Sequence, residues 1–286
     1  MSLSAAQPCG GRYWEKLLWC GGLLVACYAP ALWSLVRSWD NPDMGHGYFV
    51  PLVAAFIVWQ ERHDLELMKW VPSWWGLIAV VWGGMQVFVA TLGAELFLAR
   101  TGIIIALIGS VWALGGTHVL RRLAFPLLLL FFMVPIPAIL YTRITFPLQL
   151  VASRLAEGAL TVIDIPVLRQ GNVLQLPNQT LSVVEACSGI RSLLSLTFLS
   201  VVYGYFFEKR FWVRVALFVG TIPIAILANG GRVAVTGIMT QIKPELAEGF
   251  YHESTGWVIF MIALAILVAF HRLLTWLLPL GEANAA

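Results

Sequence analysis

Apolar runs of about 20 residues recur along almost the whole chain, and no other feature limits its fold so strongly. As a helix rising 1.5 Å per residue, a run of that length crosses a hydrocarbon layer of about 30 Å. Such runs lie at about 16–36, 47–60, 74–92, 97–115, 122–140, 188–207, 211–229 and 256–278, the second being short and needing its flank from His46. Only 12% of the residues are charged, half of the roughly 25% usual in a soluble domain. That is too little to cover a water-facing surface, so lipid is the solvent for most of the chain. The thirteen Trp residues agree, because Trp gathers at membrane–water interfaces. The expected fold class is all-α: a polytopic integral membrane protein with about eight transmembrane helices, forming a single domain over residues 1–286. Arg12 and Lys16 ahead of Leu17–Val36 imitate a signal peptide. The run is long for one and no small-residue cleavage site closes it, so an uncleaved first helix is expected. A net charge of +3 without a basic cluster argues against a nucleic-acid partner.

Orientation follows from the basic residues of the short loops. One side collects Arg12, Lys16, Arg62, Lys69, Arg121, Arg122, Lys209, Arg210, Arg214 and Arg272, and the other only Arg37 and Arg100. The first side is read as cytoplasmic, with both termini there. Two segments then face outward, about 141–187 and 230–255. The first is far longer than an ordinary connection, which points to function. Its beginning, about 141–163, reads as an amphipathic helix lying on the membrane. Its later part, about 167–184, reads as short strands punctuated at Gly171-Asn172 and Pro177-Asn178.

The outer side holds a set of residues suited to thiol chemistry. Of four cysteines, Cys9, Cys20 and Cys27 lie in the N-terminal tail and first span, where Cys20 and Cys27 read as small apolar fillers. Cys187 stands alone outside, where the sixth span begins. A helix N-terminus and a nearby cation lower a thiol pKa, and Arg191 follows four residues later on the same helical face. Ser188 and Gly189 leave backbone N–H groups accessible, a possible oxyanion cradle. The opposing reading is an interfacial cysteine beside a snorkelling arginine. A thiol acyltransferase also needs a base that later serves as an acid. The outer histidines are His46, in Gly45-His46-Gly47, and His252, just before the eighth span. The third element is Asn229-Gly230-Gly231-Arg232. The two glycines are expected to break the helix at the span end. Arg232 is read as a cation for an oxyanion or carboxylate, as a side chain snorkelling to the outer interface, or as a partner of Glu185. No metal-type cysteine spacing appears, and neither metal nor cofactor is expected.

These stretches resemble the exosortase/archaeosortase family. The resemblance rests on Glu185-Ala186-Cys187-Ser188-Gly189-Ile190-Arg191, on Asn229-Gly230-Gly231-Arg232-Val233, and on His252 ahead of Gly256-Trp257. The early Gly45-His46-Gly47-Tyr48-Phe49-Val50-Pro51-Leu52 also fits. It covers about residues 15–278 in the same order. The resemblance implies Cys187 as nucleophile, His252 as base and acid, and Arg232 as the transition-state cation. Glu185, Ser188, Arg191, Asn229 and His46 are expected to support them. A histidine at position 252 is similar to the bacterial branch rather than the archaeal one. The implied substrates are exported proteins whose C-terminal sorting tails carry a Pro-Glu-Pro motif, a transmembrane helix and a basic end. They would be cut on the periplasmic face of the bacterial inner membrane and passed to an acceptor whose identity the sequence leaves open. Three other readings remain at this point: a plain cysteine endopeptidase with water as acceptor, a transporter or lipid-linked carrier protein with broken spans at Pro135-Ile136-Pro137 and Gly230-Gly231, and a zinc enzyme using Cys187, His46 and His252.

Overall fold

The computed structural model describes residues 10–177, 179–183, 189–243 and 249–278. Its described part is overwhelmingly helical, and by contacts the chain divides into two compact units, Met1–Pro137 and Ala138–Ala286. The first contains α1 (Gly10–Cys27), α2 (Ala29–Ser38), α3 (Phe49–Gln60), α4 (Arg62–Leu67), α5 (Trp74–Leu92), α6 (Leu96–Arg122) and α7 (Ala124–Leu129). The second contains α8 (Ala138–Val162), strands β1 (Leu168–Gln170), β2 (Val173–Gln175) and β3 (Thr180–Ser182), then α9 (Gly189–Phe207), α10 (Phe211–Ile242) and α11 (Gly249–Leu277).

Among the described residues, five helices are long and apolar enough to cross a membrane, or up to seven if two broken pairs each count as one span. This is a multi-pass membrane protein. The eight runs expected from the sequence exceed that number because α3, at 12 residues, falls short of the roughly 20 needed to cross alone. The first run is itself bent by 80° between Cys27 and Ala29. Pro30 explains the bend: it lacks an N–H, and its ring cannot share a helix with the carbonyl of Ala26 four residues back. The fifth run breaks over 134–137, where Val134 is extended (ψ 122°), as a residue before proline must be. Trp59, Trp74, Trp75, Trp212 and Trp276 all stand exposed within two residues of a helix end, the placement of an interfacial aromatic belt.

In the first unit, α5 and α6 form a close pair. On α5, Ile78, Val81, Trp82, Met85 and Phe88 face outward, while Gly76, Gly83, Val87 and Ala90 are buried. Glycine seven residues apart recurs on the facing helix at Gly102 and Gly109, and the two backbones nearly touch. A methyl group built on Gly83 would lie 2.6 Å from the Ala106 backbone nitrogen, and one on Gly109 would lie 2.6 Å from that of Val80. Small residues allow such approach where lipid gives no hydrophobic drive to associate. Gly83→Val is therefore expected to force the helices apart at a cost of about 1–3 kcal/mol, read as a lower melting temperature in detergent. At the end of α6, Gly116 takes φ +75° and lets the chain kink beneath Val71, whose carbonyl occupies the place of a side chain there.

The second unit positions the residues of interest. The predicted strands form an antiparallel sheet in the order β1-β2-β3. Gly171, at φ +66°, makes the two-residue turn between β1 and β2. Leu174 and Leu181, paired across β2 and β3, point inward with Val183 onto Ala152, Ala156 and Leu160 of α8 and onto Val233 and Ala234 of α10. Hydrogen bonds from Ser153 Oγ to the Gly171 carbonyl (3.0 Å) and from Asn172 Nδ2 to Gln149 Oε1 (3.1 Å) pin the turn to α8. A second cluster, including Leu196, Leu217 and Leu267, packs α9, α10 and α11 together. The helix expected over 141–163 is present as α8.

One expectation is corrected. Gly230 and Gly231 do not break the helix: α10 runs from Phe211 to Ile242 through both. A mid-helix glycine costs only about 1 kcal/mol against alanine, and here it is repaid in packing, because a Cβ on Gly230 would lie 2.8 Å from the Leu155 Cβ of α8. The segment read as an outer connection from 230 is thus helical to 242, and the broken-span argument for a transporter loses its support at this position.

The α9–α10 connection carries a buried ionic network. Glu208 is 7% exposed. It accepts from the Arg210 backbone N–H (2.8 Å), Arg210 Nε (3.1 Å) and Arg210 Nη2 (3.0 Å). His271 Nε2 of α11 stands 3.3 Å away. A carboxylate only accepts, so Nε2 carries the proton and His271 Nδ1 accepts from the Tyr203 hydroxyl (2.9 Å). The Arg210 side-chain bonds dominate in holding the Glu208 carboxyl at about 2, against burial, with the Arg210 N–H and His271 helping. A carboxylate held below its ordinary 4.5 contributes stability in full above that value and loses it as pH falls toward 2. Glu208→Gln is therefore expected to melt lower than wild type at pH 7. The gap should close as pH falls from about 5 to about 2, in thermal melts of the detergent-solubilised protein.

Candidate active site

Arg232 lies 21 residues into α10, about 32 Å from its Phe211 end at 1.5 Å per residue, near where a membrane-crossing helix reaches the far interface. Val233 and Ala234, beside it in sequence, are locked under the β-sheet, which fixes this turn of α10. Arg232 is 9% exposed, so its guanidinium does not simply snorkel into water. It lies against α11 at Gly256: a Cβ built there would be 3.1 Å from both Cζ and Nη2. Glycine at 256 is thus the cradle of the cation. His252 precedes Gly256 by four residues, one helical turn, which places it on the same face of α11. It is described by its backbone alone. The turn bearing His252 and the buried cation are therefore brought together by α10–α11 packing.

Asn229, three residues before Arg232, is 4% exposed. Arg191 is half-buried near the start of the described part of α9. Glu185, Cys187 and Ser188 lie outside the described residues, just ahead of Gly189. His46 belongs to the first unit, in the 3-10 turn Pro42–Tyr48. It is 7% exposed, and its Nε2 donates to the Phe132 carbonyl (3.1 Å), tying this turn to the one ending at Met133 with the help of Trp39 Nε1 donating to the Met133 carbonyl (2.9 Å). That is a structural task for His46. Cys20 is half-buried and Cys27 exposed on α1, both as free thiols. Sequence reasoning gave Gly256 no role. It entered only as part of the stretch that carries the resemblance, four residues after a candidate histidine, and the contact that gives it meaning comes from another helix.

The chain belongs to the transmembrane exosortase family (Exosortase_EpsH), whose sequence model matches residues 38–269, more than four fifths of the 286 residues. No curated protein and no solved structure matches.

Proposed function

We propose that this protein is a membrane-embedded cysteine transpeptidase that cuts the C-terminal sorting tails of exported proteins on the periplasmic face of the inner membrane. One observation carries the reading: in a chain of the exosortase family, Arg232 is buried against Gly256, one turn from His252 on α11. Cys187 passes its thiol proton to His252, and the thiolate attacks the carbonyl carbon of the scissile peptide near a Pro-Glu-Pro motif. The tetrahedral oxyanion forms beside the Arg232 guanidinium, a preorganised positive charge in a water-poor site. Collapse expels the tail as an amine, which takes a proton from His252, and leaves an acyl thioester on Cys187. An acceptor nucleophile, deprotonated by His252, then attacks the thioester and releases the thiolate. Arg191, Glu185 and Ser188 set the charge and backbone around the cysteine, and Arg191 favours the thiolate. If water is the acceptor, the same steps make a cysteine endopeptidase. Reconstituted protein given a substrate ending in a Pro-Glu-Pro tail, a transmembrane helix and basic residues should cut it near the motif. The mass of the released N-terminal product separates transfer from hydrolysis, and an uncut substrate with folded, membrane-inserted protein would overturn the reading.

A further inference from the structure

The reaction proposed above gives Asn229 of α10 no task. Asn229 is 4% exposed, and its amide nitrogen makes no hydrogen bond among the described residues. A buried donor left unmade costs about 1–3 kcal/mol, and a polar side chain at membrane depth is ordinarily held by a partner on another helix. The amide lines a cavity of about 10 Å³ whose other walls are Leu148 of α8, Leu193 of α9, and Ala225 and Ile226 of α10. Those side chains are apolar, so Asn229 supplies the cavity's side-chain hydrogen bonding. The volume admits a single water-sized group and no more. Asn229 also precedes Arg232 by three residues, which puts the two on neighbouring parts of one helical face. Leu193 follows Cys187 by six residues in the chain.

We propose that Asn229 is a substrate-binding residue whose carboxamide takes hold of the polypeptide backbone beside the scissile bond. The free amide N–H donates to a carbonyl oxygen, a group about the size of the single water the cavity admits. The apolar walls suit a backbone group and penalise a charged one. Docking a peptide carbonyl there satisfies the amide N–H that has no partner among the described residues, and it registers the substrate against Arg232. Polar groups kept unpaired at a stability cost are a recurrent mark of sites built for a ligand. This inference rests on the tail-cutting reading and adds that recognition runs through the main chain.

The test uses full-length protein in lipid nanodiscs and a synthetic peptide spanning the Pro-Glu-Pro motif and the start of the transmembrane segment. Asn229→Leu keeps the branched shape and heavy-atom count and removes the amide. Its expected KM is about tenfold higher, the worth of one or two neutral hydrogen bonds, with kcat changed less. Its melting temperature should equal or exceed that of wild type, because an unpaired buried amide has been removed. A lower melting temperature with proportionate loss of activity would make Asn229 structural and overturn the proposal. So would unchanged KM, which would leave the cavity to a water molecule. Peptide binding to Cys187→Ala and to Cys187→Ala/Asn229→Leu separates this inference from the proposed reaction. If wild type cuts nothing while the first binds about tenfold tighter than the second, the reaction fails and the binding role stands. Equal binding by the two sinks the binding role whatever wild type cuts.

Discussion

Cys187→Ala is expected to abolish the proposed tail cutting while the protein still accumulates in the membrane at the wild-type level. Removing a nucleophile that forms a covalent intermediate costs on the order of 10⁴–10⁶ in rate, because the proposed acyl-enzyme then has no thiol on which to form. Cys187→Ser should be nearly as inactive. A serine hydroxyl is a far weaker acid than a thiol, and a site that activates a thiolate through nearby charge does not supply the stronger base serine needs. The remaining thiols give the internal control. Cys20 and Cys27 sit on α1 in the first unit, and Cys20→Ala and Cys27→Ala should leave cutting within about twofold of wild type, a change inside the noise of barrier differences below 1 kcal/mol. The measurement is the fraction of substrate cut by vesicles carrying matched amounts of each variant. Retained cutting in Cys187→Ala would reject the cysteine mechanism.

The second large effect belongs to the α10–α11 contact. Arg232→Ala should lose about 10²–10³ in kcat, the usual loss for one oxyanion donor, and Arg232→Lys should recover only part, since an ammonium lacks the planar fork of donors. Gly256→Ala asks the sharper question. Its new methyl would lie 3.1 Å from the guanidinium carbon, so the cation must yield by a few tenths of an ångström. The yielding group is the end of a flexible side chain, so melting should change little. Misplacing a catalytic group by about 1 Å can cost 10²-fold, and Gly256→Ala is expected to lose about tenfold or more. His252→Ala should lose at least as much as Arg232→Ala. His46→Ala should instead lower stability, by freeing the Phe132 carbonyl. An inactive His46→Ala beside an active His252→Ala would reassign the base, with the thiol chemistry untouched.

The lipid-facing character of the chain was legible because it needs only hydrophobicity summed over about 20 residues. The strands around Gly171 were legible for a local reason too, since a two-residue turn advertises itself through residues that tolerate left-handed backbone. Helix continuity was harder to read. Pro30 and the Pro135–Pro137 stretch break their runs, whereas Gly230-Gly231, the more obvious breaker on paper, leaves α10 intact because Leu155 of α8 fills the space beside it. The second run, read at 47–60 and already short for a span, matches α3 (Phe49–Gln60) to within two residues, because Pro42 and the charged residues after Gln60 mark its limits in the sequence. The candidate site divides along the same line. Cysteine, arginine and histidine near span ends could be picked out from spacing and charge. The cradle at Gly256, the burial of the Asn229 amide and the Glu208–His271 pair depend on helices that meet only after folding, and nothing local to those residues records the meeting.

The central claim, that an acyl group rests on Cys187, is tested most directly by trapping it. Purified protein mixed with substrate, quenched in acid within the first turnovers and digested, should yield the Cys187 peptide heavier by the acyl mass of the substrate's N-terminal product, and hydroxylamine should release that mass as expected for a thioester. Cys187→Ala should carry no such adduct. Substrate cut at the wild-type rate with no acyl mass on Cys187, or with the acyl group on another residue, would contradict the account.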